Sequence, residues 1–470
     1  MGSWRGTRCG EHGHRVAAIR AVSSSMTSRR DFLRRTAFAS AATLAVPLPG
    51  LGESPRRSPA DSAPTPPALP SPPSGSAEQI AQDEAYWREV AQQYAVTDRV
   101  TNMEAGYFGM MASPVLAAYH RNIDRVNRES SYFARRSYPE LASAARARVA
   151  TALGVAPDEL AFARNATEAL QTLIGQYNRV QPGDTLMYAD LDYPAMQDAM
   201  NALAARRSAT IAKLDIPEPA THDAIMSAYT RALDANPRTR LLLLTHVNNK
   251  TGLIHPVRDI TALARARGVD TVVDAAHSFG QVPLALPDLG SAFAAVNLHK
   301  WVGAPVGVAC LYIKKDRLDA IDRAHGDQGP LDRIDSRIHT GTTDFAAVMT
   351  VPDALDFQDT IGVARKAARL RYLRDSWAKP ARTIAGVTVL TPDDTPMTGA
   401  LTGFRLHANG DRAANAALAR TLVEEFGIFT VARSGLAKGD CIRVTPSLYN
   451  TPADGAKLVS ALTTLATRSR

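Results

Sequence analysis

Cysteine is scarce in this chain: 470 residues carry three, Cys9, Cys310 and Cys441. The last two lie inside apolar runs, where a buried, unpaired thiol is the expected state. A long apolar run is also missing. The stretch 36–46 that follows a cluster of arginines is too short to span a bilayer in a mature protein. Excess charge of one sign vanishes on inspection. The formal +8 includes the first 77 residues, which hold ten Arg and four acids, or +6; the other 44 basic and 42 acidic residues leave +2. That balance gives no footprint for a nucleic-acid partner.

What is present is a globular composition, 45% apolar over a length that can bury a large core and fill two domains. Ser28-Arg29-Arg30-Asp31-Phe32-Leu33-Arg34-Arg35 followed by an apolar run has the layout of a twin-arginine export leader, with Met26 as the start. This reading implies the twin-arginine machinery as a partner and a periplasmic or exported location, or a membrane tether where the leader stays uncleaved. Residues 1–50 are assigned to the leader, and 51–78, rich in Pro and Ser, to a disordered linker. Residues 79–352 are expected to form an N-terminal segment and a large domain, and 353–470 a smaller C-terminal α/β domain.

The chemistry concentrates in 271–305. Thr271-Val272-Val273 reads as a strand that stops at Asp274, and a second apolar run ends at Lys300. In an open α/β sheet, groups at the carboxyl ends of strands face one crevice. A lysine between His299 and Trp301-Val302-Gly303 is partly desolvated, which lowers its pKa and frees the amine for imine chemistry. Further back, the unalternating run Leu241-Leu242-Leu243-Leu244 reads as a strand covered on both faces. Helical patterns are expected over 76–94, over 257–267, after Ser113 as the cap with Pro114 in the first turn, and as one long run from Asp353 through Val363 to Trp377. Asn165 with Glu168 three residues on reads as a capping-box helix start, whose exposed N–H groups suit an anion.

The words Asp274-Ala-Ala-His277 and Asn297-Leu-His299-Lys300-Trp301 resemble the class V branch of the fold-type-I pyridoxal-phosphate (PLP) enzymes, with the epimerase-like members as the nearest match. The resemblance covers roughly residues 98 to 465. It implies an α/β fold: a large domain on a mostly parallel seven-stranded sheet, plus the smaller C-terminal domain. It also implies pyridoxal 5'-phosphate, bound through Lys300, with Asp274 on the ring nitrogen and His277 near the ring hydroxyl or substrate. Carried over in the same way, the phosphate lies on Ala166-Thr167 and near Asn297 and His299. Tyr193 stacks on the ring and Asn249 reaches its hydroxyl. Gly341-Thr342 is a phosphate clamp lent by the neighbouring subunit of a homodimer with shared sites. Arg443 grips the carboxylate of an amino-acid substrate. The loop Asn102-Met-Glu-Ala-Gly-Tyr-Phe-Gly109 lies near the substrate mouth.

Such a constellation supports removal of a Cα proton by Lys300, leading to transamination or epimerisation; β-elimination by a C–S lyase is the alternative. The loop 432–440 holds no cysteine, which argues against sulfur transfer through a protein thiol. A non-catalytic exported binding protein of the same fold is the competing reading from another class.

Overall fold

The computed structural model describes residues 69–339 and 341–468, within one compact unit. The export leader and the linker up to residue 68 fall outside the described residues. Linker residues 77 and 78 do not belong to a tether. Ser76 caps a short helix, Ala77–Ile80, reciprocally with Gln79, and Leu69 already packs against the core. The helical pattern expected over 76–94 is split in two, because Asp83 caps a second helix at Glu84–Ala91. Ser113 is the first residue of its helix, Ser113–Arg136, and not the cap; its hydroxyl donates to the Gln93 carbonyl instead.

Seven strands form the main sheet: β1 (Leu160–Ala163), β2 (Thr185–Ala189), β3 (Thr210–Leu214), β4 (Thr239–Thr245), β5 (Asp270–Asp274), β6 (Phe293–Asn297) and β7 (Ala309–Ile313). Their order is β1-β7-β6-β5-β4-β2-β3, and only β7 runs against its neighbours. Both faces are buried, which is why the sequence shows no alternation. Leu242, Leu244 and Val273 face one hydrophobic cluster, while Leu241, Leu243 and Val272 face another.

Helices α1 (Ala166–Gly175), α2 (Pro194–Arg207) and α3 (Val257–Arg265) connect the strands. Strand order reverses between β2 and β4, so the carboxyl ends of β1, β2, β4, β5 and β6 all meet one crevice. Each of these ends carries a residue singled out from the sequence.

The long run expected from Asp353 to Trp377 is two helices, α4 (Val351–Ile361) and α5 (Val363–Ala381). Gly362 separates them at φ +84°, outside the helical range. A second, four-stranded antiparallel sheet follows: β8 (Val387–Val389), β9 (Thr402–Leu406), β10 (Val431–Arg433) and β11 (Cys441–Val444), in the order β10-β11-β9-β8. Its cluster includes Met103, and Thr101–Asn102 pairs with Ile428–Phe429, so the 102–109 loop is held against this sheet. Among the described residues no helix is long and apolar enough to cross a membrane.

Candidate active site

The strand ends build a cavity of about 540 Å³ whose lining includes Ala166, Thr167, Tyr193, Asn249, Asp274, His277, Asn297, His299, Lys300 and Arg443. A volume of that order holds a cofactor and a small substrate. Asp274 and Lys300, 26 positions apart in sequence, thus face one space.

Lys300 is enclosed by its own loop. Gly109 N–H donates to the His299 carbonyl at 2.8 Å, and a Cβ on Gly109 would come within 1.8 Å of the Lys300 carbonyl oxygen. Behind the loop, Gln358 on α4 donates to the Val302 carbonyl at 3.0 Å, and the buried Lys366 amine on α5 donates to that of Trp301. Burial pushes the Lys300 amine down to about 8 from 10.5; Asp274 opposes this shift, while Arg443 and Arg433 add to it.

His277 connects the lysine to a second anchor. Its Nε2 lies 2.8 Å from Lys300 Nζ, and its Nδ1 accepts from the Trp301 indole N–H at 3.3 Å. Burial and the neighbouring lysine hold the ring neutral. A neutral imidazole that accepts at Nδ1 carries its proton on Nε2, so it donates to an uncharged Lys300 amine.

The fit to PLP rests on groups that lack protein partners. Asp274 accepts one hydrogen bond, from Ala276 N–H to Oδ1 at 2.9 Å, and burial raises its pKa. Its ionised form is under-satisfied and suits a cationic ring nitrogen. Asn249 Oδ1 is buried with no hydrogen-bond partner, an orphaned acceptor placed for a ring hydroxyl.

At the start of α1, Asn165 Oδ1 caps the Glu168 N–H as expected, and Asn297 Oδ1 accepts from the Ala166 N–H at 2.8 Å. Asn297 therefore shapes the anion site by pinning the helix to β6, while Thr167, which lines the cavity, offers its N–H and hydroxyl. His299 Nδ1 lies 3.0 Å from the Val308 carbonyl, and burial lowers its pKa. With that proton committed, His299 reaches a phosphate as a donor only by gaining a second one, which a dianion favours.

Tyr193, 39% exposed, forms part of the cavity wall. Gly341 and Thr342 do not line this cavity; Gly341 borders a separate surface depression that it shares with Gly307.

The sequence reading missed Glu104, Arg433 and Lys250. Glu104 forks onto Arg443, and Arg433 stands beside it on the next strand. Lys250, buried after Asn249, donates to the Asp190 carbonyl at 2.6 Å and the Gly435 carbonyl at 3.4 Å, tying the Arg433 loop to β2. Two signals were present in the sequence: an acid inside the loop 102–109, and an arginine in the loop 432–440.

Comparison with known proteins agrees with this geometry. Residues 113–454 match the aminotransferase class-V family. The isopenicillin N epimerase of Amycolatopsis lactamdurans is 31% identical over 80% of this chain and 98% of its own. A putative L-cysteine desulfhydrase of Oryza sativa subsp. japonica is 30% identical over 63% of this chain and 65% of its own. Among solved structures, the cysteine desulfurase CsdA of Escherichia coli superposes with a TM-score of 0.67 at 21% identity, over 81% of this chain and 98% of that one. With Lys300, Asp274 and the start of α1 gathered in one cavity, the chain belongs to the class V aminotransferase family and is a PLP-dependent enzyme of fold type I.

Proposed function

We propose that the protein removes the Cα proton of an amino acid or a derivative of one, leading to transamination or epimerisation. The observation that carries this reading is the Lys300 amine, held near neutrality in the same cavity as Asp274. When bound, PLP supplies an electron sink for the charge left on Cα.

The protein's own residues do the rest. Thr167 and the α1 start would bind the phosphate, Asn249 and Asp274 would orient the ring, and Tyr193 would cover one face; all of them line the cavity. Lys300 holds the cofactor and then takes the proton as general base. His277, fixed by Trp301, keeps the lysine nitrogen aimed. The substrate carboxylate is received at the Arg443–Arg433 side of the cavity.

A C–S β-elimination is the second reading, favoured by the desulfhydrase relatives and needing no protein thiol. Sulfur transfer is not proposed: Cys310 and Cys441 are buried, and burial pushes the Cys441 thiol up to about 12. We also propose a homodimer in which Gly341 and Thr342 serve the neighbour's cavity, and export of the protein through a twin-arginine leader.

An amino-acid panel tests the reaction, scoring keto-acid formation, loss of optical purity, and release of sulfide or ammonia separately. Colourless protein that gains neither colour nor turnover with added PLP would favour the binding-protein reading. A further prediction concerns pH. Attack on the PLP aldehyde needs a neutral amine, so covalent attachment to the apoprotein should slow about tenfold per pH unit below about 8 and level off above it. A plateau reached only near the ordinary lysine value would show Lys300 to be solvated.

A further inference from the structure

We propose that Arg433, and not Arg443, receives the substrate carboxylate, because Glu104 occupies the fork of Arg443. This rests on the amino-acid reading above and specifies how such a substrate is recognised.

Arg443 has no nitrogen without a protein acceptor. Its Nε donates to Glu104 Oε2 at 3.3 Å, Nη2 donates to Glu104 Oε1, and Nη1 donates to the Asn249 carbonyl at 2.7 Å. The arginine side chain is 1% exposed and that of Glu104 is 4%. The Gly106 backbone lies directly on the guanidinium, since a Cβ there would sit 2.6 Å from Nη2. A carboxylate that took this fork would have to expel an internal carboxylate already bound in the same two-pronged way. It would leave Glu104 buried, at a cost of the kind that makes broken buried pairs unfavourable.

Arg433 is the opposite case. It sits on β10, two register positions from Arg443 on β11 and on the same face of the sheet, because Val431 pairs with Arg443 and Arg433 with Cys441. Its side chain is 28% exposed, it lines the cavity, and its Nε is buried without a partner. Glu104 also ion-pairs with it, Oε1 lying 3.6 Å from Nη2, but at a distance too long for a hydrogen bond, so the guanidinium keeps all its donors for an incoming group. Arg164, also on the cavity wall, is paired with Glu168. Lys250, through the Gly435 carbonyl, holds the loop behind Arg433 and so fixes the reach of its guanidinium.

Two arginines against one glutamate leave this end of the cavity with a single net positive charge, enough for one carboxylate. The substrate class is therefore an amino acid that presents a single anionic group here. Glu104 determines which of two adjacent arginines reads it.

The test uses holoenzyme and 2-methylalanine, an amino acid with no Cα hydrogen, whose binding is followed by the visible spectrum of the cofactor. Arg433→Gln should weaken binding by about 10- to 100-fold, as expected for loss of a charge-assisted contact. KM for a turned-over amino acid should rise in parallel, and by more than kcat falls. Adding Glu104→Gln to Arg433→Gln opens the Arg443 fork and should restore most of the lost affinity. Circular dichroism and retained cofactor colour report that each variant is folded. Unchanged binding in Arg433→Gln overturns the proposal, and so does a double variant that is folded but no tighter than the single one. A parent enzyme whose spectrum does not respond to 2-methylalanine overturns the amino-acid reading, and this inference with it.

Discussion

Lys300→Ala should lose covalent cofactor attachment altogether and lower turnover by about 10⁴-fold, the upper range for a positioned proton-transfer group. Among the described residues Lys300 is the one lysine on the cavity wall. Lys250 Nζ is committed to the Asp190 and Gly435 carbonyls, and Lys366 lies behind the active-site loop on the Trp301 carbonyl. The substitution removes a side chain that borders a cavity, so the loop, whose backbone is held by Gly109, Gln358 and Lys366, should keep its course. Phosphate contacts at Thr167 and the ring partners Asp274 and Asn249 remain, and PLP should still bind without a covalent bond. Borohydride treatment followed by peptide mass analysis checks this: the adduct appears on the Lys300 peptide of the parent and on no peptide of the variant. Methylamine added to the variant should restore part of the proton removal. An adduct retained in Lys300→Ala, or more than about a tenth of the parent turnover, would sink the assignment.

The sheet was readable because its signals are local. An unbroken leucine run at 241–244 means burial on both faces, and the strand-helix-strand alternation around Asp274 leaves few topologies open. Lys300, Asp274, Thr167 and Asn249 each stand at or just past a strand end, so the position in the element already pointed into the crevice. Helix boundaries were less readable. Periodicity continues smoothly across Gly362, and only its positive φ reveals that the chain turns there.

The arginine end of the site was hidden for a different reason. Glu104 precedes Arg443 by 339 positions, and the two meet only because 101–102 pairs with 428–429 and Ala105 N–H donates to the Thr445 carbonyl at 3.0 Å. Neither residue carries a local mark of the other. The same holds for Arg433, whose guanidinium is left with only a long ion pair to Glu104 because Arg443 takes that carboxylate's hydrogen bonds. Asn297 shows a milder form of the problem: its side chain lines the cavity, but its oxygen is bound to the Ala166 N–H and stabilises the helix start.

Asp274→Asn carries the second large effect. The native side chain is buried and receives one N–H, from Ala276, so its charge is poorly compensated by the protein alone. Burial raises its pKa, and the Lys300 charge only partly offsets that. An ionised carboxylate in such a place is stabilised by a cation brought to it, which is the role of a protonated ring nitrogen. Asparagine keeps the shape and the Ala276 contact but offers no negative charge, so nothing holds that proton in place. Breaking a buried charge pair costs about 3–5 kcal/mol, roughly a 10²–10⁴-fold loss in kcat, with a smaller change in KM, since on the proposed reading Asp274 acts on the ring and the substrate carboxylate is received at Arg433. Exchange of the Cα hydrogen with deuterated solvent measures the affected step directly, free of what happens to the product afterwards. An Asp274→Asn enzyme exchanging within about twofold of the parent would mean that the ring charge comes from elsewhere. Asp274→Ala should be worse still, because the Ala276 N–H loses its acceptor and the turn after β5 loses its tie to the strand.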